Sequence, residues 1–126
     1  MLQYNPEVTQ NPSDWLAMNE EDRIHLIEEY HHSKRIKMGS VKAHAMFHSM
    51  VENQIVEGVE SVVHAMDRLI KQGLSRHDAI HPIASIIAEQ LYEPFNHAGL
   101  SGDSSQDQFN EKVNRLNAKD WLRRKS

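Results

Sequence analysis

A chain of 126 residues can build one hydrophobic core and not two. Its net charge of -4 argues against nucleic acid as a partner, and the lack of cysteine excludes disulfides, iron–sulfur clusters and thiol catalysis. No apolar run approaches the roughly eighteen residues that a membrane helix needs. The polar start MLQYNPEVTQ carries no signal-like apolar stretch, so a cytoplasmic protein without a membrane partner is expected.

The elements read as helices from end to end. Residues 1–18 form a turn-rich lead punctuated by Asn5-Pro6 and Asn11-Pro12. Asn19, followed by Glu20, Glu21 and Asp22, has the chemistry of a helix start, and that helix should run to about Arg35, before Gly39. Ser40 caps a second helix reaching about Glu57, where Gly58 interrupts it. A third spans roughly Val59 to Gln72 and stops at Gly73, a natural C-terminal glycine. Ser75 with Asp78 opens a fourth, lasting to about Tyr92 before Glu93-Pro94. Residues 19–98 thus make the bundle core, and 99–105 (GLSGDSS) read as a linker. A C-terminal helix lies within 106–126, from Gln106 to about Leu122, with Phe109, Val113 and Leu116 on one stripe. The fold class predicted is all-α: an antiparallel bundle of about four helices plus a short C-terminal one.

Nine histidines stand out in this frame. At about 100° per residue, His44 and His48 fall inside the apolar arc of Val41, Phe47, Val51 and Ile55, with Glu52 at its edge. Lys42, Ser49, Asn53 and Glu57 fall opposite. On the fourth helix, His77 and His81 join Ile80, Ala84, Ile87 and Leu91. On the first, His31 sides with Ile24, Ile27 and Tyr30, bordered by Glu28. His25, His32 and His64 point outward, and the direction of His97 beyond Pro94 is not set by the pattern.

Two histidines four residues apart stack one turn above the other and can reach one ion from the same side. Residues eight apart are separated by about 12 Å along the axis, which discourages joint ligation by His44 and Glu52. The first choice of ligands is therefore His48, Glu52, His77 and His81. The second is the four paired histidines with Glu52 as orienter or general base, and His31 completes either set or bridges to a second ion. Mixed imidazole and carboxylate ligation suits a divalent Zn, Fe, Mn or Ni ion without choosing among them. Pro82 breaks the local rule: inside a helix it removes a hydrogen bond and costs about 3 kcal/mol. Either the helix kinks there or His77 sits in a separate opening turn.

The segments HAMFHSMVENQIVEG and RLIKQGLSRHDAIHPIASIIAEQL resemble an uncharacterised bacterial domain-of-unknown-function family. Its small helical proteins carry patterns like H-x3-H-x2-VENQ and GLxRHDAxH. The matching positions are His44, His48, Glu52, Asn53 and Gln54, then Arg76, His77, Asp78 and His81; Pro82 departs from the small residue expected. The resemblance implies a helical fold and a shared site, and no reaction. A weaker similarity is to the metal phosphohydrolases of the HD superfamily, whose ligand order His48, His77-Asp78 and a distal Asp103, Asp107 or Asp120 could imitate.

The expected function is a metal-binding helical bundle whose reaction and small-molecule substrate are unspecified. The alternative is a structural or interaction module whose inward histidines are satisfied by hydrogen bonds or charge as pH falls. The sequence leaves oligomeric state open, a homo-oligomer included.

Overall fold

The computed structural model describes residues 3–33, 40–92 and 102–125, without the side chains of 91–92, 102–105 and 124–125. Among the described residues there are seven helices and no strand: α1 (Pro12–Ala17), α2 (Glu20–Ser33), α3 (Val41–Val56), α4 (Glu60–Lys71), α5 (Arg76–Tyr92), α6 (Gly102–Asn114) and α7 (Ala118–Lys125). They pack as an all-α bundle, and none is long and apolar enough to cross a membrane.

Side-chain caps define the helix starts. The Asn19 side chain accepts from Asp22 N–H at 2.8 Å, Ser40 Oγ from Ala43 N–H at 3.2 Å, and Ser75 Oγ from Asp78 N–H at 3.1 Å. Each satisfies a donor that has no partner inside its helix. Gly58 and Gly73, at φ 75° and 111°, take up the left-handed conformations that let α3 and α4 end in tight turns.

Three features differ from the sequence pattern. The lead contains α1, because Asn11 caps it and Pro12 sits in the first turn, where its missing N–H is harmless. At the other end, α6 begins at Gly102, inside the stretch read as linker, and the single helix expected over 106–122 is divided. Asn117 separates the parts, its Oδ1 accepting from Asp120 N–H at 2.9 Å to start α7. Finally, α5 runs through Pro82 as one helix, with the proline buried. His77 and His81 therefore share one axis. The expected ends near Arg35 and Gly39, and His97, lie outside the described residues.

α3 is central, packing against α1, α2, α4 and α5, while α6 lies on α4 and α5. The larger apolar core joins Val51, Val62, Leu69, Ile80, Ile83, Phe109 and Val113. A smaller one holds Tyr4, Trp15, Ile27 and Ala45. Full burial of such side chains is worth about 1.5–3 kcal/mol each. The face of α3 bearing Ser49 and Asn53, assigned above to the outside, is covered instead. Glu20 accepts from Ser49 Oγ at 3.1 Å, and the Trp15 indole N–H donates to Asn53 Oδ1 at 2.8 Å. Pairing with α1 and the start of α2 makes a polar face compatible with burial.

Candidate metal centre

Helices α2, α3 and α5 meet where their histidines converge. His31 lies 4.7 Å from His44, 5.5 Å from His48 and 5.6 Å from His77, measured between ring centres, and His48 lies 5.2 Å from His77. One ligand nitrogen from each of His31, His44, His48 and His77 lies within 4.8 Å of the other three. The Nε2 atoms of all four are buried and make no hydrogen bond. His31 and His48 are each only 1% exposed.

The outer nitrogens decide the tautomers. His31 Nδ1 is 2.8 Å from the Ile27 carbonyl oxygen. A carbonyl only accepts, so Nδ1 carries the proton and Nε2 presents a lone pair. Tyr4 Oη donates to Glu52 Oε2 at 2.6 Å, so the contact of 2.8 Å between His48 Nδ1 and Tyr4 Oη has His48 as donor. His48 Nε2 is then also a lone pair. Leaving such atoms buried and unmatched costs about 1–3 kcal/mol apiece. A cation shared by these nitrogens would remove that cost.

Glu52 is fully buried but turned to another task. Arg76 donates Nη1 to Oε2 at 2.9 Å and Nη2 to Oε1 at 2.7 Å, and Tyr4 takes the same Oε2. Both oxygens are engaged, so Glu52 supports His48 through Tyr4 and does not join the four-histidine group. His81 flanks that group, 4.8 Å from His77 and 5.1 Å from His44 between ring centres, without belonging to it. His31, held in reserve by the sequence pattern, is a full member. Glu28 is half-buried outside the group, and His25, His32 and His64 are exposed as expected.

Electrostatics favours the neutral form of three members of the group. Burial, reinforced by His31 and His77, lowers His44 to about 4. Burial and the surrounding imidazoles hold His48 well below its ordinary value. Burial also lowers His77, with His31 adding to it and Asp78, Glu7 and Glu52 opposing. Burial raises the Tyr4 phenol well above its usual range, helped by the Glu52 charge. For Arg76, burial works downward, but the bonds to Glu52 prevail and raise it. Neutral imidazoles are the form that binds metal.

Of two further residues in this arrangement, Tyr4 has no counterpart in the sequence reading and Arg76 appears there only as a position of the resemblance motif. Tyr4 comes from the lead and Arg76 from the first turn of α5. The segment around Tyr4 is fastened over the centre, with Arg76 Nη1 donating to the Pro6 carbonyl at 2.8 Å and His77 N–H to Glu7 Oε1 at 3.1 Å. Arg76 could have been suspected from its place beside His77; nothing local marks Tyr4.

The described acidic residues of an HD-type order stand apart from the four-histidine group. Asp78 and Asp107 are exposed, Asp120 lies in the first turn of α7, and the side chain of Asp103 lies outside the described residues. Asp78, Asp107 and Asp120 do not belong to the histidine group. Compared with known proteins, the chain matches no family model, no curated sequence and no solved structure.

Proposed function

We propose that this protein binds a divalent metal ion through His31, His44, His48 and His77, with Glu52 acting through Tyr4 to orient His48. The observation that carries this reading is a group of four histidines whose ligand nitrogens lie within 4.8 Å of one another and whose buried Nε2 atoms have no hydrogen-bond partner. An all-imidazole set shifts the preference among the expected ions toward Zn, Ni or Fe and away from Mn, which favours oxygen ligands. Two lone pairs are already aimed by their outer hydrogen bonds, so the ligands need little reorganisation. Of the positions in the resemblance motifs, His44, His48 and His77 belong to the proposed ligand set, and Glu52 and Arg76 lie beside it.

The competing reading, histidines satisfied by hydrogen bonds alone, is weakened by those same Nε2 atoms. Charging at mildly acid pH is opposed by the lowered positions of His44, His48 and His77. The test is elemental analysis of protein purified without a histidine tag or nickel column, then loaded with zinc and desalted. About one ion per chain is expected, lost in His48→Ala and His77→Ala and retained in His64→Ala. Equal metal content in all four proteins would overturn the proposal.

A further inference from the structure

The charge balance of the centre points to what else the ion would hold, granted the metal reading above. Every member of the group is an imidazole, neutral when it binds through one nitrogen. A dication at their focus brings two positive charges into a region where His31 and His48 are almost wholly buried. Buried charge requires compensation nearby.

The surrounding side chains do not provide it. Glu52 is the one buried carboxylate among the described residues, and its charge is matched by the two-pronged contact with Arg76. Tyr4 remains a phenol, its proton directed to Glu52. The Nδ1 protons of His31 and His48 point to a carbonyl and a phenol oxygen, and neither acceptor is basic enough to leave an imidazolate behind. Glu7 and Asp78 are exposed, where solvent and salt screen their attraction.

We infer that the ion held by His31, His44, His48 and His77 takes one exogenous monoanion as a further direct ligand. Two sources share that chemistry. One is hydroxide, formed when a water bound to the ion gives one proton to bulk solvent. The other is a small dissolved anion. A cavity of about 670 Å³ is lined in part by Tyr4 and Tyr30, whose rings pack edge-on against His48 and His77, and by none of the four histidines. Its lining includes Glu7 and Glu29, which disfavour entry of multiply charged anions such as phosphate esters. Neutral water is not repelled by carboxylates so placed, which favours hydroxide. A hydroxide on a dication is a nucleophile at neutral pH, so the substrate class would be a neutral electrophile open to hydrolysis or hydration.

The test uses the full chain loaded with Co2+ and titrated with azide, followed by visible absorption. A saturable spectral change at one azide per cobalt is expected. Bound cobalt whose spectrum ignores a large excess of azide would overturn this inference and leave the metal reading intact; failure to bind cobalt would remove both. Repeating the titration as pH rises separates the sources. Weakening azide affinity assigns the position to hydroxide, whereas constant affinity overturns that choice in favour of a dissolved anion. Arg76→Gln releases the Glu52 charge toward the ion and should weaken azide by about tenfold. Unchanged azide affinity in a cobalt-loaded Arg76→Gln protein would overturn the charge argument.

Discussion

The two halves of this bundle are stabilised in opposite ways. Where α4, α5, α6 and α7 meet, apolar side chains fill the interior and the polar groups at its margin find partners. Arg68 donates to the carbonyls of Leu116 and Val113 at 3.0 and 2.9 Å, and Gln72 Oε1 accepts from Ala118 N–H at 2.7 Å. Where α2, α3 and α5 meet, the interior is filled with imidazoles whose inner nitrogens are unmatched. The first half is closed by its own apolar packing and hydrogen bonds. The second leaves four buried inner nitrogens without hydrogen bonds, and that asymmetry marks the candidate site.

Perturbations of the two halves should therefore respond differently to metal. The largest loss is expected for Arg76→Ala, which leaves Glu52 as a buried unpaired charge and should cost about 3–5 kcal/mol in urea unfolding. A loss below about 1 kcal/mol would mean that Glu52 escapes to solvent, against its complete burial here. Leu69→Ala should cost about 3 kcal/mol, equally in chelator and in zinc, because its cavity lies in the apolar half. His48→Ala should instead abolish the rise in melting temperature that zinc gives the parent protein. If Leu69→Ala also abolished that rise, the halves would not be independent.

Smaller effects sharpen the contrast. Tyr4→Phe removes the acceptor for His48 Nδ1 and should weaken zinc about 10–100-fold in competition with a chromophoric chelator. Acid provides another probe. Between the ordinary histidine value of 6.5 and the value of about 4 for folded His44, the unfolded chain takes up a proton that the folded one refuses. His48 and His77 act in the same direction. The unfolded state binds more protons there, so metal-free stability should fall as pH drops through that window. A flat urea midpoint across it would show that these histidines are not buried in solution. His64→Ala, at an exposed position on α4, should stay within about 0.5 kcal/mol of the parent in either condition.

Much of this was legible in the sequence, for a reason rooted in helix geometry. The spacing of His44, His48, His77 and His81 repeats once per turn, so their common inward direction follows from periodicity alone. Caps at Asn19, Ser40 and Ser75 were equally readable, since each acts within three residues. The role of Glu52 was not, because it depends on Arg76, 24 positions away, and on Tyr4, 48 positions away. Helix periodicity says which way a carboxylate points and nothing about who meets it. The buried polar face of Ser49 and Asn53 was hidden likewise: only its partners on α1 and α2 make its burial affordable. At Asn11-Pro12 the signal was present but ambiguous, since the same pair suits a turn or a helix start.

The span of the contacts around Tyr4 has a kinetic meaning. Gly58 and Gly73 join α3, α4 and α5 through short turns, so those helices can associate after closing small loops. The contacts from Tyr4 to Glu52 and from Pro6 to Arg76 bridge 48 and 70 positions, and such closures come at a high entropic cost early in folding. The segment over the histidines is therefore expected to dock last and to undock first. In pulsed hydrogen exchange, the His77 amide, covered by Glu7, should gain protection after the amides of α4; simultaneous protection would contradict that order. A centre assembled in this sequence would meet its ion as a nearly finished protein and not as an unfolded chain.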